Sequence, residues 1–193
     1  MKPPAFSSLT ICGLDELDGH SARGVTHVLS LLDPGWPEPA AFWAFDPHRR
    51  ATMYFHDAIE PAPDIVLPQV ADIEGILAFG RDMGDDLGHL LIHCHAGISR
   101  STAAMLMILA QAFAREDVGA IVDRLVRTRP QAWPNSLMIR FADELLGRGG
   151  RLTAAVSEVY ARRLAARPEL AEVMRRLGRA REIELALAAP GMK

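Results

Sequence analysis

The segment 89–101 changes abruptly from an apolar run to a short polar loop. Residues 90–92 are Leu-Leu-Ile, a run that is typical of a fully buried strand. Small and polar residues follow, and Gly97 allows a tight backbone turn. A strongly apolar helix is predicted over residues 102–115. The pattern therefore predicts a strand, a loop and a helix in direct succession, as in α/β folds.

The loop between this strand and this helix has the composition of an anion-binding site. Successive backbone N–H groups and the free donors of the helix N-terminus would point into one concavity. Arg100 can add a bidentate grip on two phosphate oxygens, which a lysine cannot. Cys94, at the strand end, would face the phosphorus. Cysteines at helix N-termini beside cations have pKa values of about 3.5–7.5 rather than about 8.5, so we expect a thiolate nucleophile at neutral pH.

These residues resemble the loop of a known enzyme family. Cys94, Arg100 and Ser101, with five residues between the first two and His93 before them, are similar to the loop of the cysteine-dependent protein tyrosine phosphatases. Residues 95–99, His-Ala-Gly-Ile-Ser, are closest to the dual-specificity branch, of the bacterial type. The resemblance implies hydrolysis of phosphate monoesters through a cysteinyl-phosphate intermediate. The implied substrates are phosphotyrosine, and also phosphoserine or phosphothreonine, in proteins, or small phosphate esters.

The resemblance also implies a role for each residue of the loop. Cys94 is the nucleophile, Arg100 grips the phosphate, and the hydroxyl of Ser101 stabilises the cysteine as it leaves the phosphoenzyme. His93 orders the loop by hydrogen bonds. Asn135 lies in a segment that is similar to one in dual-specificity phosphatases and supports the site, and Asn is also a favoured helix N-cap residue. The other residues expected to bind phosphate are His95, Ala96, Gly97, Ile98 and Ser99.

A phosphate ester also needs a proton for its departing oxygen, since a tyrosyl oxygen has a pKa of about 10. The family supplies an aspartate from a loop upstream of the cysteine. Asp57, which follows a predicted strand, resembles that aspartate and is our first choice, although it lies a few residues further from Cys94 than is usual. Asp64 lies nearer to the usual separation, and Glu60 lies in the same loop. Both stay open as alternatives.

No cofactor and no metal ion is expected. His93, Cys94 and His95 are consecutive, and three adjacent side chains rarely converge on one ion. The main alternative to an enzyme is a catalytically inactive phosphate-binding module, a pseudophosphatase. A sulfurtransferase also uses a cysteine loop, but the Arg100-Ser101 ending of this loop favours a phosphatase.

Charge and cysteine content narrow the partners and the location. Residues 1–150 have a net charge of −7 and residues 151–193 a net charge of +4, so the acidic body argues against nucleic acid as a partner. The longest apolar segment, 103–114, is interrupted by Gln111, and it is too short for a bilayer, which takes about 20 residues. The chain has two cysteines, one of them in the predicted site. We therefore expect no membrane association and a reducing, cytoplasmic location.

The whole chain is predicted to be α/β, with a central, mostly parallel sheet flanked by helices on both faces and a C-terminal helical extension. Strands are predicted at 9–13, 25–32, 52–55 and 90–92, and helices at 14–23, 68–83, 102–115, 118–127, 137–146, 152–164 and from 168 onward.

Two parts are expected along this chain. Residues 1–148 are predicted to form the phosphatase domain, residues 149–193 the helical extension, and the glycines at 147–150 a hinge between them. Three roles stay open for the basic extension: packing on the acidic body, a homodimer contact, or binding of an acidic partner. A chain that ends near residue 148 is expected to keep the catalytic chemistry.

Overall fold

Four parallel strands form the sheet of the described part of the molecule. The computed structural model describes residues 7–83 and 88–190. Strands β1 (Ser8–Cys12), β2 (His27–Leu32), β3 (Arg49–Tyr54) and β4 (His89–His93) lie in the order β1-β4-β2-β3, and all neighbouring strands are parallel. The predicted α/β fold is confirmed. β4 is a central strand, between β1 and β2. In sheets of this kind ligands bind at the carboxyl ends of the strands, so the loop that follows β4 lies where a ligand is expected.

Both faces of the sheet are covered. Alternate side chains of a strand point to opposite faces, so Leu90 and Ile92 of β4 join the large core with Leu29 of β2. Leu91 and Val28, which point the other way, belong to a smaller core. Coverage on both sides explains why these strands are continuous apolar runs rather than alternating ones.

Two short 3₁₀-helices close the smaller core. The segment Leu14–His20 contributes the buried Leu17, and the segment Ala40–Ala44 contributes Phe42. The predicted helix at 14–23 is therefore a 3₁₀-helix that ends at His20.

The α-helices pack on the other face. Their bounds are α1 Val70–Asp82, α2 Arg100–Ala112, α3 Val118–Thr128, α4 Ser136–Leu145, α5 Arg151–Ala166, α6 Leu170–Arg176 and α7 Ala180–Ala188. The helices predicted over 102–115, 118–127 and 137–146 are confirmed with ends shifted by a few residues. The separate helix α7 was not predicted. The helix predicted over 68–83 is α1, and Gly84, the residue expected to end it, lies outside the described residues.

Helix α2 is surrounded by protein along most of its length. Every residue from Arg100 to Ala110 is buried, and the helix packs on β1, β2, β4, α1, α3 and α4. A helix that is apolar on all sides is expected in such a position. Its N-terminus, which carries Arg100 and Ser101, is therefore held from several directions.

The C-terminal helices share the large core with the rest of the molecule. Leu152, Tyr160 and Ile183 belong to the same cluster as the side chains of β4. The Tyr160 ring stacks on Trp133, with ring centroids 4.6 Å apart. Packing on the body, one of the three roles left open for these helices, is thus observed. The boundary at 148 and the homodimer contact stay predictions.

The glycine-rich connection between α4 and α5 is a turn held by hydrogen bonds, and the hinge predicted there stays a prediction. The buried Asp143 carboxylate accepts hydrogen bonds from the backbone N–H groups of Gly150 and Thr153, each at 2.8 Å. Arg148, also buried, donates to the carbonyls of Ala110 and Phe113 at the end of α2. None of the helices within the described ranges is long and apolar enough to cross a lipid bilayer.

Candidate active site

The loop between β4 and α2 folds tightly over the end of β1. Gly97 has a φ of +68°, and a Cβ there would lie 2.4 Å from the carbonyl carbon of Cys12. Only glycine meets both conditions. The carbonyl of His95 accepts a hydrogen bond from the N–H of Leu14 at 2.9 Å, so the loop is fastened to the chain segment that follows β1.

Cys94 and Ser101 are brought together at the N-terminus of α2. The Sγ atom of Cys94 lies 3.2 Å from the Oγ atom of Ser101, and both residues are buried. A hydroxyl at this distance can donate to a thiolate. The other cysteine, Cys12, lies in the smaller core, where burial raises its pKa to about 12. Cys12 is therefore an inert core thiol.

Arg100 is buried beside Cys94 and is held by two oxygen atoms. Its Nη1 atom donates to Asp33 Oδ1 at 2.7 Å and to the carbonyl of Phe55 at 2.6 Å. Its Nε atom is buried with no hydrogen-bond partner among the described residues. A buried donor without a partner is uncommon in a folded protein, and here it leaves capacity for an anion. The contact with Asp33 was not predicted.

Asp57 lies at the site, whereas Asp64 does not. Asp57 Oδ1 accepts from Ser99 Oγ at 2.7 Å and from Asn135 Nδ2 at 3.0 Å, and Arg179 Nη1 lies 3.4 Å from both of its oxygens. Burial by itself would raise the pKa of Asp57. The positive charges of Arg179 and Arg100 and the two hydrogen bonds outweigh burial, so the pKa lies below its usual value.

The alternative acids occupy different places. Asp64 is an exposed loop residue and does not line the cavity that contains Cys94, whereas Glu60 is exposed and lies at that cavity. Asn135 is buried, caps α4 by accepting from the N–H of Met138 at 3.1 Å, and holds Asp57 with its Nδ2 atom. Its predicted cap and its predicted supporting position are thus combined in one side chain.

The two histidines of the loop have different surroundings. His93 is fully buried, and its Nε2 atom lies 2.7 Å from Ser30 Oγ. Burial lowers the pKa of His93 to about 4, so the ring is neutral at physiological pH. The ring of His95 packs against Trp36 at 4.3 Å between centroids and lies near Asp33. In residues 7–83 and 88–190, no three His, Cys, Asp or Glu side chains are grouped so that they could hold a metal ion.

The candidate nucleophile, the arginine and the candidate acid lie at one cavity of about 580 Å³. This volume is in the usual range for ligand sites, about 300–1,000 Å³. Cys94, Arg100 and Asp57 line the cavity together with residues 58–62, Ile65 and Leu177. A larger groove of about 790 Å³ runs past Trp43, but none of the predicted site residues lines it.

Several solved structures are similar to this chain. Human DUSP28 shares 16% identity at a TM-score of 0.55, over 75% of this chain and 98% of its own. A human tyrosine phosphatase-like serine/threonine/tyrosine-interacting protein shares 17% identity at a TM-score of 0.56, over 74% and 93%. Tk-PTP in its active form shares 20% identity at a TM-score of 0.52, over 76% and 97%. Neither a protein-family model nor a curated protein matches the chain.

The chain has the fold of the dual-specificity protein phosphatases. The resemblance to these phosphatases, first inferred from residues 93–101, is confirmed for the fold. About a quarter of the chain has no counterpart in these three structures.

In this phosphatase fold, the loop has a support that sequence reasoning missed. Arg129 donates from Nε to the carbonyl of Gly97 at 3.0 Å, and its two terminal nitrogens contact the carboxylate of Glu16 at 2.9 and 2.7 Å. Glu16 also accepts from the N–H of Gly13 at 2.6 Å, and its hydrogen bond with Arg129 lowers its pKa. The Arg-Pro dipeptide that contains Arg129 was the available signal, but nothing local to it indicates Glu16.

A second missed support reaches the site from the C-terminal helices. Arg179, in the turn between α6 and α7, donates from Nη1 to Ser99 Oγ at 2.7 Å and from Nη2 to Glu182 Oε1 at 2.7 Å. Glu182 is fully buried and accepts from Trp133 Nε1 at 2.6 Å. Because Ser99 in turn donates to Asp57, the turn is connected to two loops. One is the acid loop, residues 57–65, which carries Asp57, and the other is the loop between Cys94 and Arg100. No sequence pattern pointed to this connection.

Proposed function

We propose that this protein is a phosphatase that hydrolyses phosphate monoesters through a cysteinyl-phosphate intermediate, chiefly phosphotyrosine in proteins and also phosphoserine or phosphothreonine. One observation carries the proposal: the thiol of Cys94, which lines a cavity together with Arg100, lies 3.2 Å from the buried hydroxyl of Ser101. A buried cysteine on its own is usually a core residue. A cysteine with a hydroxyl donor and a guanidinium beside a helix N-terminus is equipped for phosphoryl transfer.

In the first step, the Cys94 thiolate attacks phosphorus and the S–P bond forms as the bond to the departing oxygen breaks. The loop N–H groups and Arg100 stabilise the equatorial oxygens of the transferring phosphoryl group. Asp57 delivers a proton to the departing oxygen, which leaves as an alcohol or a phenol.

In the second step, water attacks the phosphocysteine. Asp57 now accepts a proton from that water, the S–P bond breaks, and inorganic phosphate is released. The hydroxyl of Ser101 donates to the departing sulfur and stabilises it as a thiolate. Atoms and charges balance with no cofactor.

Asp57 has to be protonated to act in the first step, whereas its pKa in the free protein is lowered. A bound phosphate resolves this conflict, because a like charge next to a carboxylate raises its pKa. The phosphate is also expected to bind Arg100. In the free protein Asp33 balances the positive charge of Arg100, with 2.7 Å between Arg100 Nη1 and Asp33 Oδ1. Binding of substrate is thus expected to exchange Asp33 for phosphate as the partner of Arg100 and to favour the protonated acid.

The test is hydrolysis of phenyl phosphate and p-nitrophenyl phosphate in the presence of a chelator. Wild type should turn over both esters, Cys94→Ser neither, and a phosphorylated Cys94 should be trapped on acid quenching. Asp57→Asn should lower kcat on phenyl phosphate by about 10²–10⁴-fold, the usual range for removing a general acid. The loss on p-nitrophenyl phosphate should be smaller, because its nitro group already stabilises the departing oxygen.

Asp64→Asn is the matched comparison for the acid and should leave both rates unchanged. A loss in Asp64→Asn together with an unaffected Asp57→Asn would move the acid to Asp64. Folded wild type that binds phosphate but turns over neither ester would favour the pseudophosphatase. That alternative is retained because one structural neighbour is named as a phosphatase-like interacting protein.

A further inference from the structure

We propose that Leu177, in the turn between α6 and α7, is a specificity residue that contacts the aromatic ring of an aryl phosphate substrate. With Ile59 from the acid loop, it forms an apolar wall of the cavity beside Cys94. The inference rests on the proposed function and deepens it, because it names the substrate class that the cavity prefers.

The first support is the position of Leu177. Leu177 and Gly178 line the same cavity as Cys94 and Arg100, although they lie in the C-terminal part of the chain, between α6 and α7. The side chain of Leu177 is 63% exposed. A single exposed leucine needs no explanation, but one on the wall of a phosphate site offers apolar surface that a substrate can bury.

The second support is that the turn is firmly anchored. Arg179, two residues after Leu177, is 5% exposed and donates to Ser99 and to the fully buried Glu182. Glu182 accepts in turn from Trp133 and from the N–H of Ser136 at the start of α4. The backbone that carries Leu177 is thus ordered before substrate arrives, and a pre-organised wall loses little entropy on binding.

The third support is the chemistry of the cavity away from the phosphate. Its carboxylates, Asp33, Asp57 and Glu60, would repel a second phosphate. The rest of the lining is apolar, apart from His56, Cys94, His95 and Arg100. An aryl group can bury this apolar surface, whereas the additional phosphates of a polyphosphorylated headgroup would meet the carboxylates. The apolar residues other than Leu177 are Ala58, Ile59, Pro61, Ala62 and Ile65.

The experiment compares Leu177→Ala with Leu187→Ala in the full chain. Leu187 is a matched control because it is 60% exposed, lies in α7, and does not line the cavity. We expect Leu177→Ala to raise KM for phenyl and 1-naphthyl phosphate by roughly tenfold, the low end for loss of an apolar pocket contact. Its kcat should be unchanged, because a wall binds ground state and transition state alike.

Inorganic phosphate serves as the probe without a ring. Its inhibition constant should be the same in wild type, Leu177→Ala and Leu187→Ala, and Leu177→Met should restore KM to within about twofold of wild type because it keeps the apolar contact. An unchanged KM in Leu177→Ala would overturn the inference. A parallel rise in KM and in the phosphate inhibition constant would overturn it too, because that result indicates damage to the loop.

A binding measurement separates this inference from the proposed function. In Cys94→Ser protein, calorimetry gives the affinities of phenyl phosphate and inorganic phosphate without turnover. The ratio of the two affinities should fall roughly tenfold on adding Leu177→Ala. If wild type shows no turnover but this ratio falls, the enzyme proposal fails and the ring contact stands. If wild type is active and the ratio is unchanged, only the ring contact fails.

Discussion

At the scale of single residues, Gly97 and Gly24 offer a matched pair. Both have positive φ values, +68° and +63°, which place a Cβ under similar backbone strain of about 1–2 kcal/mol. A Cβ at Gly24 meets nothing within 4 Å, whereas one at Gly97 meets the backbone of Cys12 at 2.4 Å. We expect Gly97→Ala to lower the free energy of unfolding by about 1–3 kcal/mol more than Gly24→Ala, as overpacking does.

Urea unfolding of the two variants measures that difference, and calorimetry with inorganic phosphate measures its effect on the site. Because the alanine at 97 displaces the loop from β1, phosphate affinity should fall in Gly97→Ala and stay at the wild-type value in Gly24→Ala. Equal unfolding free energies would mean that the loop can move away from β1 without loss, contrary to the packing described above.

At the scale of elements, Asp143 couples α4 to α5. Its carboxylate is buried and accepts from the N–H groups of Gly150 and Thr153 in the first turn of α5. Asp143→Ala removes the buried carboxylate that caps the first turn of α5, and a helix cap contributes about 0.5–2 kcal/mol. Because this carboxylate accepts from two backbone N–H groups, we expect a loss toward the upper end of that range in urea unfolding.

Glu144→Ala is the control for this variant. Glu144 is the next residue of α4, is 64% exposed, and pairs with Arg140 across one turn. Exposed pairs of this kind contribute about 0.3–0.5 kcal/mol. Similar losses of unfolding free energy in Asp143→Ala and Glu144→Ala would indicate that α5 is held by its apolar face alone. The hydrogen-bonded turn before α5 would then contribute nothing to stability.

The elements also show how far the sequence could predict the molecule. The apolar run of β4, Gly97 and the residues up to Ser101 are local, so a strand, an anion loop and a helix follow from their order. The contacts that complete the site are not local. Arg100 meets Asp33 across 67 positions, and Arg129 meets Glu16 across 113. Asp33, Glu16 and Arg129 each have, on their own, the pattern of a solvated surface residue, and only the folded structure brings the pairs together.

The same limit applies to the C-terminal helices. The apolar spacing of α5 predicted a helix and a packed face, both of which are observed. Arg179 and Ser99 lie 80 positions apart, and the basic character of the extension gave no reason to place one of its arginines at the active site. The expectation that a chain ending near residue 148 keeps its chemistry is weakened by this contact, because such a chain lacks Arg179.

At the scale of the whole molecule, one buried and two partly buried histidines make stability depend on pH. Burial is the main cause that lowers the pKa values of His20, His93 and His95. For His93 the pKa falls from 6.5 to about 4, so the unfolded chain binds that proton first as pH falls. Between these two values the unfolded state holds more protons, and the free energy of unfolding decreases toward acid.

Asp57 and Glu16 act in the same direction at lower pH. Their pKa values are lowered in the folded protein, so the stability they contribute is complete above their ordinary values of 3.8 and 4.5. It is lost as pH falls through the lowered values. The decline that histidines begin near pH 6.5 is therefore continued by carboxylates, and no group among these five opposes it.

The change that isolates one contribution is His93→Gln, followed by urea unfolding at intervals from pH 8 to pH 4. Glutamine removes the titration and keeps a polar partner for Ser30. The drop in unfolding free energy between pH 6.5 and 4 should shrink by roughly 3 kcal/mol, the equivalent of the lowered pKa. Ser30→Ala is the control, because it removes the 2.7 Å contact with the ring but keeps a buried imidazole, and its acid slope should match wild type. An unchanged slope in His93→Gln would mean that the buried ring does not stay neutral as the molecule is acidified.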